Sequence, residues 1–184
     1  MKRRNALALG LLLIAATTLA FAPQEKARSP LQQRLLGPFA ELVADVQWIR
    51  FSQARQNGQT EHAFYLAESA LSLNPQSTAG WELFAWHLST HLASHERVSD
   101  PEKREAWFRA GLEVARRGSE VADDPLRLDR VRGFLLLQRA YLAGEQTPKA
   151  QEYLREACEI FEATADRGDE LSGELALQVK AMLR

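Results

Sequence analysis

The sequence predicts an all-α protein: about three helical hairpins and a closing C-terminal helix, behind an N-terminal apolar segment. Three observations carry this. From Leu31 onward, apolar residues recur at three- and four-residue spacings, the period that lines one face of a helix. No segment alternates with period two for long enough to make a strand. Helix-breaking and capping residues fall at short intervals, among them Asn57-Gly58, Asn74-Pro75, Asp100-Pro101 and Thr147-Pro148.

The chain opens with Met1-Lys2-Arg3-Arg4 and an apolar run from Ala6 to Ala22. A basic start before about 17 apolar or small residues is a secretory signal or a short membrane anchor. Ala20-Phe21-Ala22 has the small-x-small form of a cleavage site, but Pro23 follows it and opposes the cut. The expectation is therefore an uncleaved anchor over residues 1–22, with cleavage and release to the periplasm as the alternative. The basic residues keep the N-terminus cytoplasmic and put the rest on the other side, as at a bacterial inner membrane. Residues 23–30 read as a polar linker and 31–184 as the helical domain.

Within that domain, Leu42, Val46, Ile49 and Gln53 run down one side of the first strong helix, with Trp48 and Phe51 beside them. Asn57-Gly58 ends it, since either residue takes a left-handed cap. A second helix spans about Thr60 to Leu73, with Ala63, Leu66, Ala67, Ala70 and Leu71 on one face, and stops at Asn74-Pro75. Ser77 or Thr78 caps a third, in which Trp81, Phe84, Ala85, Leu88 and Leu92 share a face. Ser99-Asp100-Pro101-Glu102 starts a fourth that ends near Asp123-Asp124-Pro125, with Gly118 in or interrupting it. Leu126 to Leu142 and Thr147-Pro148 to about Thr164 form a third pair, and Asp169 to Leu183 closes the chain. The count is seven helices after the anchor.

Residues 44–77 form a 34-residue unit with Gly58 at its turn, Ala63 and Ala70 seven apart, and Ala70-Leu71-Ser72-Leu73-Asn74-Pro75 at its end. Thirty-four residues on, Trp81, Phe84, Ala85 and Leu88 repeat a bulky, bulky, small, bulky order before extra residues at 94–104. A third unit, 131–164, has Phe134, Leu137, Tyr141, Ala150, Leu154 and Ala157 at matching offsets, with Gln138 where a small residue is usual. These units resemble degenerate tetratricopeptide repeats over roughly 120 residues. The resemblance implies a right-handed stack of the hairpins with the last helix as its cap, and a concave groove lined by the first helix of each unit, taking an extended peptide or a partner helix. Carried onto this chain, Trp48, Ser52 and Arg55 would line it from the first unit, Glu82, Trp86 and Ser89 from the second, and Arg132, Leu135 and Arg139 from the third.

Composition narrows the function. The chain has 26% charged residues and a net charge of -1, and residues 31–184 carry 18 basic against 23 acidic residues, with no basic stripe for nucleic acid. One cysteine, Cys158, excludes an internal disulfide and a thiolate metal cluster, and its neighbours Leu154, Ala157 and Phe161 suit a core thiol. There is no glycine-rich phosphate loop and no GxSxG, so no catalytic residues and no cofactor are expected. His87, His91 and His95 stand four apart on one helix, where two imidazoles could share a metal ion, although each step drifts by about 40°. The plainer expectation is a polar edge with one or two half-buried histidines bonded to carbonyls or acids. The reading is a membrane-tethered, non-catalytic adaptor that binds another protein, itself membrane-associated. The alternatives are an accessory subunit of a membrane transport or secretion complex and, behind it, a metal-binding envelope protein.

Overall fold

A computed structural model describes residues 36–37, 39–144 and 146–183; the expected anchor and linker lie outside them. Seven helical elements follow one another, and the described residues contain no strand. They are α1 (Phe39–Gln56), α2 (Thr60–Leu73), α3 (Thr78–Trp86), which runs directly into a π-helical segment (His87–Leu92), α4 (Pro101–Ser119), α5 (Pro125–Ala143), α6 (Pro148–Ala165) and α7 (Glu170–Met182). Each helix packs on the next, and α3 also packs on α5. No helix among the described residues is long and apolar enough to cross a membrane.

The ends lie where local chemistry puts them. Ser77, Asp100, Asp124, Thr147 and Asp169 each accept a backbone N–H with the side chain at a helix start, and three of the helices carry proline in the first turn. The α1–α2 turn is closed by Gly58 at φ 71°, with the Gln59 N–H donating to the Ala54 carbonyl and the Gly58 N–H to Arg55. The α6–α7 turn repeats the device at Gly168 (φ 96°). Positive φ is cheap for glycine, and this pattern satisfies carbonyls that the helix leaves open.

One continuous core runs through the hairpins, with Phe51, Leu66, Phe84, Leu88, Phe108, Leu128, Leu136, Leu154 and Phe161 all but fully buried. Cys158 joins it, and burial pushes its thiol pKa up. The closest helix approaches are set by glycine. A Cβ on Gly111 of α4 would stand 1.9 Å from Ser89 Oγ and 2.6 Å from the Ala85 carbonyl oxygen; one on Gly118 would stand 2.6 Å from Trp81. In α5, Gly133 gives the same room to the Phe161 ring at 2.4 Å.

Two faces differ from the sequence expectation. On α1 the buried stripe is Ala40, Ala44, Gln47, Phe51 and Ala54, while Leu42, Val46 and Ile49 are 61%, 47% and 60% exposed. The small side chains let α1 lie close to α2, where Ala44 meets Ala70 and Leu73; the larger stripe, two residues out of phase, lands about 200° away. On α5, Leu135, Leu136 and Ala140 are buried, whereas Phe134 is partly exposed and Tyr141 points to solvent. Helix α5 packs on α3, α4 and α6, so it is apolar on several sides and no single stripe marks its core face.

Gly111→Ala is expected to destabilise the fold by about 3 kcal/mol, because backbone atoms of Ala85 and Ser89 stand in the way. Gly173→Ala, whose nearest neighbour would be 3.7 Å away inside α7, should stabilise by about 0.5–1 kcal/mol. Urea denaturation of the two variants checks both signs.

Candidate functional site

An opening that can take a ligand lies where the π-helical segment, the 93–100 connection, and α4, α5 and α6 converge. It is a cavity of about 740 Å³. Its apolar wall is Ala93, Pro101, Phe108, Leu135, Leu142 and Ala143, and its polar groups include Ser89, Thr90, His95, Glu105, Arg139 and Tyr153. Glu96, Glu102, Arg104 and Lys149 add charges of both signs.

Local interactions hold the walls. The π-helical segment carries Thr90, whose hydroxyl donates to the Trp86 carbonyl at 2.7 Å, and Ser89, whose hydroxyl donates to the Phe108 carbonyl across the helix gap at 3.2 Å. A π turn adds a residue to the helical circuit and recurs at functional sites. The connection after it is pinned by Arg104, which donates to the Val98 and Ser99 carbonyls at 2.9 and 2.7 Å.

A charged network forms one side. Glu105 accepts from the Tyr153 hydroxyl at 2.6 Å, from Arg109 Nε at 2.9 Å and from Arg139 Nη2 at 3.4 Å. Arg109 continues to Glu156 at 2.6 Å, and the Arg139 guanidinium lies 5.0 Å over the Phe108 ring. Burial raises the Glu105 carboxyl pKa, but the hydrogen bonds from Tyr153 and Arg109 and the two arginine charges prevail and hold it below its usual value. Burial, then the Glu105 hydrogen bond, pushes Tyr153 up to about 12. Glu105 is therefore an ionised structural acceptor, and the phenol stays protonated.

Three of the nine expected groove residues line this cavity. Ser89, Leu135 and Arg139 come together at this cavity, with Ser89 and Leu135 buried in its wall. Leu135 is in the core because of the α5 register described above. Trp48 is half-buried, edge-on to Phe51 at 5.4 Å and close against Gly80 of α3. Trp86 is half-buried against the core. Glu82 pairs with Arg127 at 2.7 Å and Arg132 with Asp129 at 3.1 Å. Ser52 is half-buried, and Arg55 bears on the histidines below. Glu105, Phe108, Leu142 and Tyr153 were not expected at a site. Only the Glu105–Arg109 spacing of four hinted at a pair; nothing local shows that residue 153 reaches residue 105.

The histidine ladder does not converge. His87 and His91 stack with centroids 5.0 Å apart, and Phe51 meets His87 edge-on at 5.1 Å. The helix ends at Ala93, so His95 falls in the following turn and faces the cavity instead. No three metal-type side chains gather among the described residues. The pair is not bonded to carbonyls or acids as expected: His87 Nδ1 and His91 Nε2 are buried without a hydrogen-bond partner. Burial, then the His91, Arg55 and Arg97 charges, lowers the His87 pKa from 6.5 to about 4. His91 is lowered too, by burial and the same arginines, against a smaller opposing effect of Glu96.

No family model matches the chain, and no curated protein or solved structure matches it significantly.

In the folded chain His87 stays neutral down to about pH 4, whereas in the unfolded chain it takes a proton near 6.5. Between those values the unfolded state binds more protons, so stability falls as pH drops through the window. The expected loss is about 2 kcal/mol after discounting for solvent screening. His87→Leu should flatten that part of the profile at little cost at pH 7, since Nδ1 has no bond to lose. Thermal melts from pH 7.5 to 4.5 test it; parallel profiles for both proteins would refute it.

Proposed function

We propose that this chain is a non-catalytic adaptor. Its hairpins stack in the right-handed manner of tetratricopeptide repeats, and it binds a peptide or helix of another protein. Residues 1–22 tether it to a membrane with the helical domain on the extracytoplasmic side. The observation that carries the binding reading is the 740 Å³ cavity. Three of the nine expected groove residues, Ser89, Leu135 and Arg139, line it together with residues of the second helices α4 and α6.

The chemistry of the cavity suits a side-chain anchor. An apolar wall with a rim of both charge signs matches an aliphatic or aromatic residue flanked by polar ones, the usual form of a peptide-binding pocket. Glu105 and Arg139 are engaged with each other and so shape the wall more than they offer free charge. Leu142 is 69% exposed on the rim, an apolar surface that a partner would cover. A second reading, an accessory subunit of a membrane transport or secretion complex docked by an outer helix face, has the exposed apolar stripe of α1 in its favour.

The test is a photo-crosslinking residue at Gln138 on the cavity, with Leu177 of α7 as control, in the full chain in its own cells. The adaptor reading expects a discrete protein adduct from position 138 and none from 177. Leu142→Glu should lower that adduct about tenfold without changing the melting temperature. Deleting residues 2–22 should move the adduct from the membrane to the soluble fraction. Equal labelling from both positions, or an adduct indifferent to Leu142→Glu, would overturn the reading.

A further inference from the structure

The first hairpin, α1 and α2, is joined to the rest of the fold less extensively than its own helices are to each other, and of the successive helices α2 and α3 share the least packing. Aromatic rings cross that boundary. Phe64 of α2 meets Phe84 of α3 edge-on at 5.1 Å, and Trp48 of α1 lies against Gly80. Phe51 of α1, fully buried, also crosses it, edge-on to His87 at 5.1 Å. His87 is itself only 5% exposed, so a titratable ring stands where apolar packing holds the hairpin in place.

This position suits the neutral ring alone. His87 stacks on His91 at 5.0 Å, and His87 Nδ1 and His91 Nε2 are buried with no hydrogen-bond partner. An imidazolium donates from both nitrogens, so a proton on His87 would leave Nδ1 a buried donor with no acceptor and add a charge with no counter-ion. The charges around it are of the wrong sign. Arg55 from α1, Arg97 from the connection after the π-helical segment and His91 from its own helix all oppose a positive charge on His87. Glu96 favours one on His91, less strongly than Arg97 and Arg55 oppose it. Helix α4 meets the π-helical segment at Ser89, through Gly111 and the Phe108 carbonyl, and brings no acceptor to either ring nitrogen.

We propose that the His87–His91 pair is an acid-sensitive latch: neutral, it seats the first hairpin against α3 and the π-helical segment, and its protonation releases that hairpin while the other two stay folded. Water relieves the cost of the proton, and separating Phe51 from His87 is the motion that admits it. The second and third hairpins are held by bonds that acid leaves alone over the same range. Ser89 donates to the Phe108 carbonyl, and the Glu105 carboxylate, held below its usual pKa, keeps its bonds to Tyr153, Arg109 and Arg139. The loss of stability on acidification thereby falls on one hairpin. None of Phe51, Arg55, His87, His91 and Arg97 lines the cavity, so the latch stands whether or not a partner binds there.

The experiment is amide hydrogen exchange of the full chain, read by mass spectrometry at pH 7 and pH 5 and corrected for the intrinsic pH dependence of exchange. Short helices without tertiary packing protect their amides little, so release shows as lost protection in peptides from α1 and α2. Protection there should fall about tenfold between pH 7 and pH 5, while peptides from α5 and α6 keep theirs. His87→Leu should remove that fall. Arg55→Glu, at a half-buried position, puts a carboxylate near the pair in place of a cation and should make the fall smaller. Equal loss from all four helices at pH 5 would mean global unfolding and would overturn the proposal. It is equally overturned if α1 and α2 keep their protection at pH 5, or if a folded His87→Leu loses it as the parent does. Should His87→Leu fail to fold, an unchanged fall in Arg55→Glu decides against the latch.

Discussion

The close crossing of α4 over α3 is the constraint on which the rest of the second hairpin depends. Gly111 and Gly118 stand seven residues apart on one face of α4, and both touch α3 or its π-helical extension. That spacing is two turns, so the two helices stay in near contact along α4 instead of diverging after one touch. Ser89 can reach the Phe108 carbonyl, and Trp81 can pack on Gly118, only at this separation. The same tryptophan donates to the Pro75 carbonyl at 2.7 Å, which ties the crossing to the turn after α2. The Asp123 N–H donates to the Gln76 carbonyl and the Asp124 N–H to Thr78 Oγ1, which brings in the turn before α5. One pair of glycines thereby positions parts of all three hairpins.

Charge completes what packing begins. Two of the three arginines expected in the groove are engaged within the molecule, Arg139 with Glu105 and Phe108 and Arg132 with Asp129, and the expected Glu82 is engaged with Arg127. A hydrogen bond to a charged group contributes about 1.5–3 kcal/mol, more than an arginine gains by waving in solvent. The Glu105 cluster sits where α4, α5 and α6 meet, so its bonds act between helices that are distant in sequence. In the cavity beside it Glu105, Arg139 and Tyr153 are engaged with one another, so on that side the apolar surface is the part that a ligand could cover.

How much of this was legible from sequence follows from the range of each interaction. Helix boundaries were legible, because Ser77, Asp100, Thr147 and Asp169 cap within a few residues and Gly58 sits where the turn requires positive φ. The seven helices were legible for the same reason. The buried face of α1 was not, because it holds the smaller of two apolar stripes, and size suggests the other. The register of α5 was obscured by burial against three neighbours. The cavity was legible only in part: Ser89, Leu135 and Arg139 were chosen for a groove, but the contact of Tyr153 with Glu105 spans 48 residues and leaves no periodic trace. The π-helical segment, which changes the rotational phase of the histidines, has no signature in His87-Leu88-Ser89-Thr90-His91-Leu92.

The balance between the two faces of α1 bears on how this helix is held. Phe51 is its one large apolar side chain fully buried in the described core; the remainder of that stripe is alanine and a glutamine. Fully burying a phenylalanine contributes about 3 kcal/mol, and each alanine far less. On the outer face, Phe39, Leu42, Val46 and Ile49 are each of a size that contributes about 1.5–3 kcal/mol when covered. Phe51 in turn rests against His87, whose neutral ring is the form that tolerates this setting. Helix α1 is thus fastened on its inner side through Phe51, through Trp48 against Phe51 and Gly80, and through a close fit of small residues. Its larger aliphatic side chains, Leu42, Val46 and Ile49, face outward and add little to that attachment.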